Sequence, residues 1–233
     1  MTAYLINLKD ETARLAKVRG QFQRLGLAFE RLEAETEGPL DSFRWWCTTL
    51  RPVIHGEVGC ACSHLKAYRT MLERGEKCAA VFEDDVVLSP RIRDALTLAE
   101  KSCLDDPKRV VLLGFHHRSK RGERTASTDA TLRIVPEDWD FCTEGYVIGR
   151  EAAANLLRGQ RRIRVTADNW HYFRTKGWIT LSRVLPPVCE QDTDLFASAL
   201  GRRYVAAEHG FAARMWWKFR RAIGTALDWL LPA

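Results

Sequence analysis

The stretch "AAVFEDDVVLSP", residues 79–90, places three consecutive carboxylates between two apolar runs in a chain whose net charge is +6. The apolar run before the carboxylates is short and follows Gly75, a pattern typical of a buried strand. Ligands of open α/β sheets bind outside the carboxyl ends of the strands. The sequence therefore predicts that Glu83, Asp84 and Asp85 lie at the ligand-binding edge of a sheet.

The chain upstream of this stretch reads as a β-α-β unit. "AYLINL" at 3–8 and "LAFERLEA" at 27–34 are typical of strands. Between them, apolar residues recur at helical spacing, with Asp10 as the predicted N-cap and Gly26 as the stop. This order predicts the entry to an open α/β sheet.

The downstream pattern continues with alternating helices and strands. We predict helices over 59–75, 91–101 and 150–159, and strands over 77–82, 109–115, 131–136, 142–149 and 178–187. Residues 116–131 are polar, basic and without periodicity, as in a loop. We find no repeat or linker, so we expect one α/β domain over 1–213 and a basic appendage at 214–233.

The positive charge and the pI near 9.0 favour an anionic partner, which can be nucleic acid, a phosphorylated substrate or a membrane surface. No nucleic-acid motif accompanies the basic residues, so nucleic acid is not expected. The first ten residues lack the basic and long apolar regions of a signal peptide. No run approaches the ~18 apolar residues of a membrane span. We therefore expect a cytoplasmic protein.

The seven cysteines are odd in number and scattered, which favours reduced thiols over a disulfide framework. "CACSH" at 60–64 invites a zinc interpretation. The pattern lacks the second ligand pair of structural zinc sites, and Cys60 and Cys62 face different directions on a helix. We therefore do not expect zinc at this motif.

Carboxylates gathered in a partly buried place repel one another and raise one another's pKa unless a cation is present. Mg²⁺ or Mn²⁺, which prefer oxygen ligands, would remove that repulsion and could bridge the carboxylates to substrate phosphates. The alternative is an acidic turn that caps the next element. Spacing alone leaves both interpretations open.

Four phrases, in this order along the chain, resemble glycosyltransferase family 25: "YLINLKDETARL", "HGEVGCACSHLKAYRTML", "AAVFEDDVVL" and "EGYVIGREAAANLL". This family comprises lipopolysaccharide and lipooligosaccharide glycosyltransferases that share features with collagen galactosyltransferases. The resemblance implies a GT-A fold with a central mixed, mostly parallel sheet flanked by helices. It also implies inverting, β-linked transfer of a sugar, galactose foremost, from a UDP-sugar to a lipooligosaccharide acceptor, with Mn²⁺ or Mg²⁺ as cofactor.

The resemblance assigns roles to the acidic triplet. Glu83 is expected near the ribose or the transferred sugar and counts among the catalytic residues. Asp84 is expected at the donor and the metal, and Asp85 at the metal.

Other donor-binding residues follow from the same resemblance: Asn7 and Leu8 near the base, and Arg14 near phosphate. A solvated helix residue is the alternative for Arg14. Ser63 and His64 match the family's Ser-His pair. Neighbouring residues do not face each other on a helix, so a covalent serine mechanism is rejected, and donor binding or a structural hydrogen bond remains. Lys66 is a further candidate for the diphosphate, with an exposed lysine as the alternative.

Inverting transfer needs a base that accepts the proton of the attacking hydroxyl. Asp168 is our candidate, with a role at the metal or as a helix cap as the alternatives. Glu144 and Glu190 are weaker candidates for the base. His209 could be an additional metal ligand, but a surface histidine is the better interpretation.

Residues 214–233, "RMWWKFRRAIGTALDWLLPA", read as a basic, tryptophan-bearing amphipathic helix. Such a helix suits an anionic membrane surface, which would place the enzyme peripherally on the inner face of the cytoplasmic membrane. The alternatives are packing on the enzyme's own core or in a dimer, so an oligomer is left open. A binding module that keeps the fold without transfer activity is the remaining rival function.

Overall fold

The computed structural model describes residues 1–35, 55–114, 131–138, 140–161, 163 and 165–192, with the side chains of 55–57 left out. The predictions for His209, for residues 214–233 and for most of the basic loop at 116–131 lie outside these residues.

Five helices and nine strands make up the described chain. The helices are α1 (Thr12–Arg24), α2 (His55–Glu73), α3 (Ile92–Asp105), α4 (Arg150–Gly159) and α5 (Trp170–Thr175). The strands are β1 (Thr2–Asn7), β2 (Glu30–Glu33), β3 (Cys78–Glu83), β4 (Val86–Leu88), β5 (Arg109–Leu112), β6 (Arg133–Pro136), β7 (Gly145–Gly149), β8 (Thr180–Leu185) and β9 (Cys189–Gln191).

Seven strands form the central sheet in the order β2-β1-β3-β7-β5-β8-β6. β1 pairs in parallel with β2 and β3, and β5 pairs in parallel with β8. β7 and β6 run in the opposite direction to their neighbours. The predicted fold class, a mixed and mostly parallel sheet flanked by helices, is confirmed.

Both faces of the sheet are buried, which explains why its strands read as continuous apolar runs. Successive side chains of β3 alternate between the two cores: Ala79 and Val81 pack with α2, α4 and α5, whereas Ala80 and Phe82 pack with α1 and α3. The central strands are therefore held in register by apolar packing on both sides.

The predicted helix boundaries are largely confirmed. Gly26 ends the first helix with φ +61, in the left-handed region that glycine tolerates. The prediction that Asp10 caps this helix is wrong, because the N-cap is Glu11 and makes no side-chain cap bond. The second helix begins at His55 rather than at residue 59, and α5 begins at Trp170, within the segment 164–173 to which we assigned no helix or strand.

A separate two-stranded ribbon of β4 and β9 was not predicted. Val86 pairs with Gln191 and Leu88 with Cys189. The buried Gln21 of α1 completes the other edge of β4: its Nε2 donates to the Val86 carbonyl at 2.9 Å and its Oε1 accepts from the Leu88 amide at 2.9 Å. The ribbon thus extends directly from the acidic triplet.

All six cysteines of the described chain are free thiols, in agreement with the prediction of reduced cysteines there. None of the helices among the described residues is long and apolar enough to span a membrane.

Candidate functional site

The carboxyl end of β3 brings three segments together at one edge of the sheet. Ile6 of β1 is in register with Glu83, so Asn7 lies one residue beyond it. Phe82 is in register with Gly145 of the antiparallel β7, and the Glu83 amide donates to the Glu144 carbonyl at 3.1 Å. Asn7, the triplet and Glu144 therefore share the edge where the sequence predicted a ligand site.

The middle acid, Asp84, is held by two predicted donor-binding residues. Asn7 donates through Nδ2 to Asp84 Oδ2 at 2.7 Å, and Arg14 donates through a guanidinium nitrogen to Oδ1 at 3.1 Å. All three residues are buried, so the alternative of a solvated Arg14 is wrong. The contacts join β1, α1 and the end of β3. Both Asp84 oxygens are engaged here, and its predicted role at the metal stays a prediction.

The third acid, Asp85, has an unsatisfied atom. Its Oδ2 accepts from Gln191 Nε2 at 2.9 Å, whereas its Oδ1 is buried without a hydrogen-bond partner in the described part of the chain. Burial, together with the neighbouring charge of Glu83, raises the pKa of Asp85 to about 7. A buried, unpartnered carboxylate oxygen beside a second carboxylate fits an oxygen-preferring divalent cation. Asp85 is therefore the triplet member whose structure best fits the predicted metal.

The first acid, Glu83, begins a chain of hydrogen bonds that runs into the core. Its Oε1 lies 3.3 Å from Nε2 of His64, whose Nδ1 lies 2.7 Å from the Tyr146 hydroxyl. That hydroxyl is 2.8 Å from the hydroxyl of Tyr68. Burial raises the pKa of both tyrosines, so both stay protonated. His64 thus positions Glu83 and connects it to the core.

Ser63 belongs to a different network. Its hydroxyl donates to the Gly59 carbonyl at 2.7 Å and accepts from the Glu35 amide at 2.8 Å. Lys66 lies nearby and donates to the Glu33 carbonyl at 2.8 Å and to the Glu35 carboxylate at 2.9 Å. These contacts hold the end of β2 against α2. Ser63 therefore makes structural hydrogen bonds, one of the two roles that the sequence left open for it.

Of the two weaker base candidates, Glu144 is buried and Glu190 is exposed. Burial raises the pKa of Glu144 to about 8, and the charges of Glu83 and Asp140 act in the same direction. At pH 7 its protonated form predominates, so Glu144 is better suited to donate a proton than to accept one.

The preferred base candidate, Asp168, lies in the turn before α5. Asn169 is the N-cap of that helix and accepts from the Tyr172 amide at 3.2 Å, so the alternative of Asp168 as the cap is wrong. Asp168 Oδ1 is buried without a hydrogen-bond partner among the residues described. The adjacent Ala167 clusters with Val58 and Ala61, which places this turn beside the N-terminal half of α2.

The remaining donor candidate, Leu8, is half-buried directly after β1, and its carbonyl accepts from Arg31 at 3.1 Å. Sequence reasoning missed Tyr68, Tyr146 and Gln191. Tyr68 follows His64 by four residues on α2, which is a visible helical spacing. Tyr146 and Gln191 carry no such signal, because they reach the site through strand pairing.

Comparison with known proteins gives a consistent result. Residues 1–171 match glycosyltransferase family 25 (LPS biosynthesis protein). A "Glycosyltransferase 25 family member" of Anopheles gambiae is 28% identical over 172 residues, which cover 67% of this chain and 28% of that protein. Procollagen galactosyltransferase 1-A of Xenopus laevis is 29% identical over 119 residues, covering 49% of this chain and 19% of its own length. The chain thus spans less than a third of these relatives.

Among solved structures, a glycosyltransferase involved in the glycosylation of the major capsid of PBCV-1 aligns with a TM-score of 0.35 at 13% identity. The alignment covers 66% of this chain and 62% of that one. The mixed, mostly parallel sheet agrees with the GT-A architecture that the family resemblance implied. Since the family match extends over residues 1–171 of 233, the chain belongs to glycosyltransferase family 25.

Proposed function

We propose that this chain is a metal-dependent glycosyltransferase that moves a sugar from a UDP-sugar to a saccharide acceptor. The expected donor is UDP-galactose, the expected acceptor is lipooligosaccharide or lipopolysaccharide, and transfer proceeds with inversion to a β-linked product. The family description, which names LPS biosynthesis, and relatives named procollagen galactosyltransferase support this proposal.

The observation that carries the proposal is the unpartnered, buried Oδ1 of Asp85 beside Glu83 at the carboxyl end of β3. A carboxylate in that position is disfavoured unless a cation compensates its charge. Asp85, with Asp84 as the second predicted ligand, would hold Mn²⁺ or Mg²⁺, and the bound ion would supply the positive charge that stabilises the departing nucleoside diphosphate.

The remaining residues position the donor and the triplet. Asn7 and Arg14 fix Asp84, and with it the turn that carries Asp85. Leu8 lies at the same edge, where the uridine would pack. His64 orients Glu83 towards the donor sugar.

The proposed base is Asp168, whose carboxylate accepts the proton of the acceptor hydroxyl. As the new bond forms between that oxygen and the anomeric carbon, the bond from this carbon to the diphosphate oxygen breaks. The unpartnered Oδ1 of Asp168 supports this role, because it leaves one carboxylate oxygen able to accept the proton.

We further propose that the enzyme acts at the inner face of the cytoplasmic membrane, with residues 214–233 as a peripheral anchor. The basic and tryptophan-rich composition of this segment supports the proposal. Deletion of residues 214–233 should then lower the fraction that sediments with vesicles containing anionic lipid.

A thermal-shift screen of UDP-galactose, UDP-glucose, UDP-N-acetylglucosamine and UDP-N-acetylgalactosamine, each with and without Mn²⁺, tests the proposal. A donor at a hundredfold excess over its dissociation constant adds about 2.7 kcal/mol to the free energy of unfolding. The stabilised donor is then used in a transfer assay with a lipooligosaccharide acceptor. Asp85→Asn should abolish the Mn²⁺-dependent shift, whereas Glu190→Gln, on the adjacent strand, should retain it. Absence of any Mn²⁺-dependent donor shift in the native chain would contradict the proposal.

A further inference from the structure

A second group of metal-ligating side chains lies behind the acidic triplet. One ligand atom each of Cys60, His64 and Glu83 lies within 4.8 Å of the others. Cys60 and His64 are four residues apart on α2, so both project from one face of the helix. Glu83 reaches them from the end of β3.

We propose that Cys60, His64 and Glu83 form a binding site for a thiophilic transition-metal ion, with Zn²⁺ as the best fit. A thiolate and an imidazole favour Zn²⁺ over Mn²⁺ and Mg²⁺, which prefer oxygen ligands. Three protein ligands leave the fourth tetrahedral position to water. The site is chemically distinct from the predicted oxygen-only pair of Asp84 and Asp85 and shares no ligand with it.

The surroundings of His64 support this assignment. Metal-binding histidines use their second ring nitrogen for a hydrogen bond that fixes the ring and the tautomer. His64 is 1% exposed, and its Nδ1 is 2.7 Å from the Tyr146 hydroxyl, which in turn contacts Tyr68. When Nδ1 donates to Tyr146, the lone pair of Nε2 points towards Glu83 and is available to a metal.

The distance between two of the three ligand atoms already fits a bound zinc ion. Ligand atoms around tetrahedral zinc are separated by about 3.3 to 3.7 Å. His64 Nε2 and Glu83 Oε1 are already 3.3 Å apart. Of this pair Glu83 has the more accessible side chain, with 23% of it exposed against 2% for His64, so Glu83 has the greater freedom to turn towards a bound ion.

The motif "CACSH" therefore supplies Cys60 and His64 as ligands, without the Cys62 that the C-x-C-x-H pattern would include. Cys62 is directed elsewhere, because the charges that act on its thiol are those of Glu35 and Arg69. The third ligand comes from a strand more than fifteen residues away, which C-x-C-x-H spacing cannot reveal. This inference does not depend on transferase activity.

The test uses the reduced full-length chain, freed of metal, with Co²⁺ as a spectroscopic probe and Zn²⁺ as the competitor. The matched variants are Cys60→Ser and Cys62→Ser, two isosteric changes of half-buried thiols on the same helix. We expect the native chain and Cys62→Ser to show a thiolate-to-cobalt absorption band that one equivalent of Zn²⁺ removes. Cys60→Ser should lose the band and bind Zn²⁺ at least 100-fold more weakly.

Tyr146→Phe supplies a second, independent measurement. Loss of its hydrogen bond to His64 should weaken Zn²⁺ binding by about 10- to 100-fold without removing any ligand. Circular dichroism establishes that each variant is folded. The proposal is overturned if the native chain gives no cobalt band, if Cys60→Ser keeps it, or if Cys62→Ser loses it equally. The cobalt and zinc titrations contain no sugar donor, so failure of the zinc proposal can be distinguished from failure of the donor screen.

Discussion

Replacement of Asp85 by asparagine should make the metal-free protein gain stability relative to the native chain as the pH rises from 4 to 8. Asp85 has a pKa raised from 3.8 to about 7 in the folded state, mainly by burial. Between these values the folded state binds more protons than the unfolded state, so the free energy of unfolding falls as the pH rises. The loss begins near pH 4 and is complete near pH 8. Asparagine carries no charge, so the variant avoids this loss of stability.

The magnitude follows from the pKa difference. A rise from 3.8 to about 7 is roughly 3 units, and each unit corresponds to about 1.4 kcal/mol. The stability of Asp85→Asn relative to the native chain should therefore increase by about 2 to 4 kcal/mol between pH 4 and pH 8. The asparagine amide leaves one buried donor unpaired, which costs about 1 to 3 kcal/mol at every pH. This constant cost does not change the predicted slope.

Urea unfolding followed by tryptophan fluorescence, in the presence of a chelator, measures this slope. The native chain, Asp85→Asn and Glu190→Gln are compared at several pH values from 4 to 8. Glu190 is exposed, so its substitution should leave the pH profile of the native chain unchanged. A stability difference between Asp85→Asn and the native chain that is independent of pH, or that shrinks as the pH rises, would refute the reasoning. Added Mn²⁺ should reverse the order by stabilising only the native chain.

Two further substitutions test how the site is supported. Arg14→Met removes the guanidinium from Asp84 and leaves a buried carboxylate short of a partner. We therefore expect the free energy of unfolding in urea to fall by about 3 to 5 kcal/mol. A fall below about 1 kcal/mol would mean that this contact does not support the triplet. Gly149→Ala places a Cβ 2.4 Å from the Pro107 carbonyl oxygen, which accepts from the Glu151 and Ala152 amides of α4, and should cost about 1 to 3 kcal/mol. Gly20→Ala in α1 is the control for Gly149→Ala, because its new Cβ meets only ordinary van der Waals contacts. This substitution should leave the free energy of unfolding unchanged or raise it. Equal losses in both variants would contradict this account.

Much of the fold could be predicted from local pattern. The helix that contains His64 and the strand that ends at Glu83 are both recognisable by their apolar periodicity, which reports burial over a few neighbouring residues. The same patterns correctly placed Asn7 and the triplet at one edge of the sheet, because the carboxyl ends of parallel strands meet there.

One prediction and two of the alternatives were wrong, two of them at helix starts and one where a contact joins distant parts of the chain. Asp10 has the right residue type for a helix cap, but the chain enters α1 one residue later. Arg14 looks like a solvated helix residue until the packing of α1 places it against Asp84. Asn169, not Asp168, caps α5, a difference of one residue that frees Asp168 for another role.

The sequence by itself determined the α/β class, the family and the position of three acids at the end of a buried strand, because each is written in residues that are close along the chain. Only the tertiary structure decided which side chains each acid contacts. Asp84 meets Arg14 across 70 positions, Asp85 meets Gln191 across 106, and His64 meets Tyr146 across 82. Contacts of that separation depend on sheet order and helix packing, and these determine which carboxylate oxygen is satisfied and which is left without a hydrogen-bond partner in the described part of the chain.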